Sequence, residues 1–205
     1  MLKKIVSDTG WIFFTVFAVT IGLYPISYFL IDIQQGLLNS KSDVLLNNVL
    51  WKTSFYMHIG FGGLALLSGF SQFFKQSNQK QLNFHRALGK IYVIAVLLSG
   101  ISGLYISFFT TGGLIPAMGF GTLAVLWLFT TIKAYSAIKK RNINDHKNWM
   151  KRSFALCFAA VTLRIWLPVF LNGLNMDFIP AYTIIAWLDW VPNIIIVEWY
   201  IRKKS

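Results

Sequence analysis

Acidic residues are scarce in this chain. Seven Asp and Glu stand against nineteen Lys and Arg in 205 residues, and charged residues of both signs make up only 13%. A soluble domain typically carries about 25% charged residues, so water is not the solvent that most of this chain is built for. Cysteine is scarcer still, with Cys157 alone. A single cysteine excludes an intrachain disulfide, a CxxC motif and a zinc ribbon, and Cys157 sits inside an apolar run, where it reads as a small core residue. Hydrolase signatures are missing too: there is no G-x-S-x-G, no H-E-x-x-H and no nucleophile–base pair at a recognisable spacing. P-loop and dinucleotide fingerprints are absent, because Gly60-Phe-Gly-Gly63 falls within an apolar run rather than after a strand.

What the chain has is apolar length: 56% of its residues are hydrophobic. A helix crossing a bilayer needs roughly 20 mostly apolar residues. Six runs meet that need, at about 11–33, 51–74, 85–110, 115–138, 148–172 and 181–200. The first resembles a signal peptide after Met-Leu-Lys-Lys. It is about twice the length of a usual h-region and no A-x-A site follows, so it reads as a retained helix. Short polar connections make consecutive helices antiparallel neighbours. The expected architecture is all-α: a polytopic six-transmembrane-helix up-down bundle forming one membrane domain over residues 1–205.

The net charge of +12 does not call for a nucleic-acid partner, because the basic residues lie between the apolar runs. Lys3, Lys4, Lys75, Lys80, Arg86, Lys90, the seven from Lys133 to Arg152, and Arg202, Lys203 and Lys204 all fall on one side; only Lys41 and Lys52 fall on the other. Positive residues stay cytoplasmic, so both termini are expected in the cytoplasm of a bacterial inner membrane. Anionic lipid headgroups are the expected partners of the basic loops. Trp11, Trp51, Trp149, Trp199 and Tyr200 sit at span ends as interfacial aromatics.

Ionisable residues within spans are costly and point to the bundle interior. His58 lies roughly 10 Å and Asp189 roughly 12 Å below the outer face, and Arg164 roughly 24 Å above the inner face. In a hydrocarbon core about 30 Å thick, all three occupy the outer half as one polar layer. Asp32 closes the first span where water reaches it and has no assigned role. Pro168 and Pro192 free the carbonyls of Arg164 and Leu188, which places two kinks beside that layer. An inner layer holds His85 and His146 at helix starts, with Gln72 and Glu198 at helix ends.

Helical spacing joins the layers into stripes. His58, Gly62, Ala65, Gly69 and Gln72 share one face; so do His85, Gly89, Tyr92, Val96, Ser99 and Gly103; and so do His146, Met150, Ser153, Cys157, Ala160 and Arg164. Such stripes either pack helices closely or form a slot for a flat ligand. His85 and His146 also head matching H-[RK]-x-x-x-K segments, for which Asn83 and Asp145 are available as caps. Three readings of this echo stay open: axial ligation of a b-type haem, anion binding at helix N-termini, or structural histidines among topogenic charges.

The combined pattern H-x3-G-x6-G-x2-Q (His58–Gln72), H-R-x-L-G-K-x-Y (His85–Tyr92) and H-x2-W-M-x-R-S-x-A (from His146) with a downstream Arg164 resembles a family of predicted bacterial membrane proteins of unknown function, domain-of-unknown-function family 2306. The resemblance covers about residues 50–170 and implies a membrane bundle without supplying an activity. A more distant likeness is to cytochrome b561 and ferric-reductase-like bundles, which place histidines on neighbouring helices. Three histidines cannot provide two bis-histidine haems. That likeness therefore leaves one haem b, its iron between His85 and His146, or a quinone or metal site near His58.

Three functions follow as expectations. One is a small haem- or quinone-binding redox protein with His85, His146 and His58 as cofactor residues. Another is a transport or sensing protein using His58, Arg164 and Asp189, with Gln72 in the polar site, for a small molecule or anion. The third is a structural bundle in which an Arg164–Asp189 pair fixes register. No catalytic residue is assigned, and oligomeric state is left open.

Overall fold

A computed structural model describes residues 2–29, 38, 40–74 and 77–204. Asp32 and Lys75 lie outside the described residues. Helices account for nearly all ordered structure, and no strand occurs among the described residues. The helices are α1 (Leu2–Leu23), α2 (Asp43–Leu46), α3 (Val49–Phe70), α4 (Gln79–Ser107), α5 (Leu114–Lys139), α6 (Ile143–Cys157), α7 (Ala159–Pro168), α8 (Phe178–Leu188) and α9 (Val191–Lys204). α1 continues as a 3-10 helix over Tyr24–Phe29, and α7 as a π-helix over Val169–Gly173.

Five segments are long and apolar enough to cross a membrane: Gly10–Tyr28, Gln79–Ser107, Leu114–Lys139, Ile143–Gly173 and Phe178–Lys203. The expectation of six is met by five on these criteria. The remaining run corresponds to α3. Its 22 residues span roughly 33 Å, which is length enough. Lys52, Thr53, Ser54, His58 and four glycines dilute its apolar character. α3 is nonetheless interior: it shares its most extensive contact with α4 and also touches α1 and α6.

Helix starts follow polar caps. Asn48 accepts from the Trp51 amide (3.0 Å), Asn78 from the Gln81 amide (2.9 Å) and Asn142 from the Asp145 amide (3.1 Å). The observed caps are thus Asn78 and Asn142, not Asn83 and Asp145. α4 begins six residues before His85, so His85 is not at a helix N-terminus. The two extra turns are polar, and hydropathy does not register them. The α4–α5 turn rests on Gly112 (φ 98°) and Gly113 (φ 85°), a left-handed conformation that glycine adopts without steric cost.

The last two membrane-length segments are interrupted in mid-course, at Phe158 between α6 and α7 and at Asp189–Trp190 between α8 and α9. The second break directly precedes Pro192, which cannot donate to the Leu188 carbonyl. The first has neither Gly nor Pro within four residues, and nothing in the local sequence explains it. Pro168 gives way to the π-helix rather than to a simple kink.

The core gathers Ala18, Ala65, Leu66, Tyr92, Val96, Trp127, Phe154, Val161 and Trp190 from every long segment. The exterior is apolar as well: Ile94, Ile101, Ile115, Phe129, Ile132, Ile195 and Ile196 are all exposed. A soluble monomer rarely exposes so much apolar surface; lipid-facing helices require it.

Candidate ligand cavity

α3 and α4 run antiparallel with their two stripes in contact. A Cβ on Gly103 would meet the His58 imidazole at 2.7 Å, one on Gly62 the Ser99 hydroxyl at 3.2 Å, one on Gly69 the Tyr92 ring at 2.7 Å, and one on Gly89 the Gln72 amide at 3.4 Å. The small residues therefore serve helix packing over most of their length. His58 is also hydrogen-bonded to α4. Its Nδ1 lies 3.0 Å from the Ser99 carbonyl. A carbonyl only accepts, so Nδ1 carries a proton and Nε2 of the neutral ring is an acceptor. The Ser99 hydroxyl donates to the His58 carbonyl at 2.8 Å.

A cavity of about 240 Å³ opens beside that imidazole. It extends from Lys41 and Thr110 at the loop end of the bundle down to Trp127 and Cys157 near its middle. His58 from α3, Arg164 from α7 and Asp189 from the α8–α9 break all line it. The outer polar layer expected from sequence is thus one set of walls. Gln72, His85 and His146 do not border it.

The expected Arg164–Asp189 ion pair is not made: the ion pair found among the described residues joins Arg152 and Glu198. Arg164 Nη1 instead donates to the Ala160 carbonyl one turn back (2.8 Å), and its guanidinium lies over the Tyr24 ring at 4.6 Å. One hydrogen bond leaves most of its five N–H donors without a protein partner. Asp189 is 1% exposed, yet its Oδ1 has no hydrogen-bond partner. Trp51 Nε1, at the loop end of the same cavity, is likewise buried without a partner. A buried polar atom left unpaired costs roughly 1–3 kcal/mol.

Side chains that sequence reasoning passed over hold the break at Asp189. Thr162 donates to the Asp189 carbonyl. Asn193 Nδ2 donates to the same carbonyl (2.9 Å) and to the Thr162 hydroxyl (3.1 Å). These bonds tie α7 to α9 and fix the Asp189 backbone two residues from Arg164 along α7. At the loop end, Lys41 Nζ donates to the Phe109 carbonyl (2.5 Å) and to Thr111 (2.9 Å). Burial holds its ammonium down at about 8.

Below the cavity the interior closes. The Tyr92 hydroxyl is 2.6 Å from the Ser153 hydroxyl, Thr131 is 2.6 Å from the same hydroxyl, and Trp127 Nε1 donates to Tyr92 at 3.4 Å. Tyr92, Thr131 and Ser153 are fully buried. This contact joins α4 directly to α6 two turns above His85 and His146. His146 Nδ1 lies 2.9 Å from the Ala134 carbonyl. No group of three or more His, Cys, Asp or Glu able to hold a metal occurs among the described residues. Glu198, assigned to the inner layer, is held by Arg152 in a two-pronged pair (Nε–Oε1 2.5 Å, Nη2–Oε2 3.0 Å).

Neither the curated proteins nor the solved structures contain a match to this chain, and the likeness to cytochrome b561 and ferric-reductase-like bundles gains no support. The family described as "Predicted membrane protein (DUF2306)" matches residues 55–201, a stretch that includes His58, Arg164 and Asp189 together with His85, His146 and Gln72. The chain is a member of that family of predicted membrane proteins.

Proposed function

We propose that this membrane protein binds a small molecule in the cavity walled by His58, Arg164 and Asp189, as a receptor or carrier. The observation that supports this reading is a buried carboxylate oxygen with no partner, on a residue that lines a cavity also bordered by an under-used arginine. A purely structural bundle would pair Arg164 with Asp189, or replace both with apolar side chains. The His85/His146 region lacks such a feature and serves packing and the basic end. In this reading α3 is a sixth span, and the basic ends face the cytoplasm of a bacterial inner membrane beside anionic lipid headgroups. Lys41 and Thr110 then lie at the outer face.

The test is solvent access. In a Cys157→Ala background, Leu163→Cys, which lies on the cavity wall, is expected to react with a charged, membrane-impermeant methanethiosulfonate reagent added from outside. Ile101→Cys, exposed on the lipid side, is expected to stay unlabelled. If Leu163→Cys does not react from that side, the cavity is not a binding site of this kind.

A further inference from the structure

We infer that the cavity takes a small zwitterion with an apolar body, an amino acid, whose carboxylate is held by Arg164 and whose ammonium is held by Asp189. This inference rests on the binding reading above and assigns its ligand class.

Arg164 needs an acceptor. It is a permanent cation presenting a planar fork of donors, of which Nη1 alone has a hydrogen-bonded protein partner, the Ala160 carbonyl. A carboxylate is the group that matches such a fork with two parallel bonds. Asp189 needs a donor, since its buried Oδ1 has none. His58 adds a second acceptor: with Nδ1 committed to the Ser99 carbonyl, Nε2 presents a lone pair and has no partner among the described residues. A primary ammonium, with three donors, satisfies both acceptors.

The positions agree with one ligand bridging the two charges. Thr162 bonds the Asp189 carbonyl, and the Arg164 side chain bends back one turn to Ala160. The guanidinium and the carboxylate therefore lie at similar depth on two different helices. They remain further apart than the 4.0 Å of a direct ion pair, with the cavity bordering both. A ligand with a carboxylate alone would leave the Asp189 Oδ1 without a donor, and one with an ammonium alone would leave the Arg164 fork without an acceptor. The rest of the wall is apolar, with Ile59, Leu66, Phe120, Leu123, Leu163 and Trp127. A cavity of about 240 Å³ has room for a small aliphatic amino acid.

The test uses the purified full chain in lipid nanodiscs and four probes with similar apolar bodies. Two are isomeric zwitterions, leucine and 6-aminohexanoate, with the charges adjacent or far apart. The others are hexanoate and hexylamine, each carrying one charge. At least one zwitterion is expected to bind saturably and at least tenfold more tightly than both single-charge probes. Asp189→Asn is expected to reduce its affinity to that of hexanoate, and Arg164→Gln to that of hexylamine. Nanodisc yield and circular dichroism establish that each variant is folded. Should either variant fail to fold, His58→Gln, which retains an acceptor, provides the second measurement, with an expected weakening for the zwitterion and none for hexanoate. Hexanoate binding as tightly as both zwitterions, with Asp189→Asn indifferent, would overturn the zwitterion in favour of a simple anion. No binding by any probe, with Leu163→Cys still labelled from outside, would overturn the ligand class while leaving the binding reading intact. No binding together with no labelling would overturn both.

Discussion

The two halves of the bundle treat buried polarity in opposite ways. Around Tyr92, Thr131, Ser153 and Trp127 every side-chain polar group is hydrogen-bonded to another. Around His58, Arg164 and Asp189 the polar groups turn away from one another and surround a void. Asp189 in the second layer is as buried as Tyr92 in the first, so burial alone does not distinguish them. The distinction is satisfaction: a closed hydrogen-bond network holds helices in place, whereas an open one waits for something else. Polar residues inside a membrane protein are functional candidates by default, and this comparison gives a way to sort them.

The comparison is most exposed to a pair of substitutions measured by reversible unfolding in bicelles. Ser153→Ala leaves Tyr92 without its shortest partner, and stability is expected to fall by about 1–3 kcal/mol. Asp189→Leu removes a buried carboxylate whose Oδ1 already lacks a partner, and stability is expected to hold or rise. Equal losses from the two would erase the distinction between the layers. Gly103→Ala attacks the boundary between them. Its Cβ would lie 2.7 Å from His58 Nδ1, against a packed helix, and a loss of about 1–2 kcal/mol is expected by the same measurement. The His58 ring resonances should shift with it; an unchanged imidazole spectrum would mean that the ring is not held against α4.

Smaller effects belong to the two ends. The Arg152–Glu198 pair is partly exposed, at 19% and 33%. Arg152→Ala is expected to cost only about 0.2–1 kcal/mol, with the loss shrinking in high salt. A large, salt-independent loss would show that this end, too, is a buried network. Lys41 should give the smallest signal, because water screens a half-buried amine. Its folded pKa of about 8 lies below the ordinary 10.5, so between those values the unfolded chain binds more protons and stability rises with pH. The penalty is fully present below pH 8 and gone above 10.5. Relative to Lys41→Met, the wild-type melting temperature is expected to climb between pH 8 and 10; parallel curves would mean that Lys41 is solvated.

Much of the fold was legible because lipid imposes a coarse rule. Runs of apolar residues and the one-sided distribution of Lys and Arg can be read without any structure. The polar layer was legible for the same reason: His58, Arg164 and Asp189 stand out against apolar neighbours. Its partners did not stand out. Ser99, Thr162 and Asn193 are uncharged residues of kinds that occur throughout membrane helices, and only the helix pairing shows which carbonyl each one meets. Arg152 was hidden among topogenic charges, so Glu198 had no visible partner. The stripes of small residues were readable as contact faces, but periodicity does not say whether a contact face holds a helix or a ligand. For α3 and α4 it holds a helix, and the cavity opens at the edge of that contact beside His58. The start of α4 was misplaced because its first two turns are as polar as a loop; Asn78 followed three residues later by Gln81 was the cue.

The closed layer beneath Trp127 bears on the direction of traffic. A solute that reached Asp189 from the Lys41 end would find its way onward barred by at least three mutually supporting side-chain hydrogen bonds. Each is worth about 0.5–1.5 kcal/mol net, so breaching them together would shift the balance by a few kcal/mol and be populated well under one time in ten. Occupancy of such a chamber would track the supply at a single face. On the proposed binding reading, a bundle built this way would register a solute at the Lys41 end far more readily than pass it on.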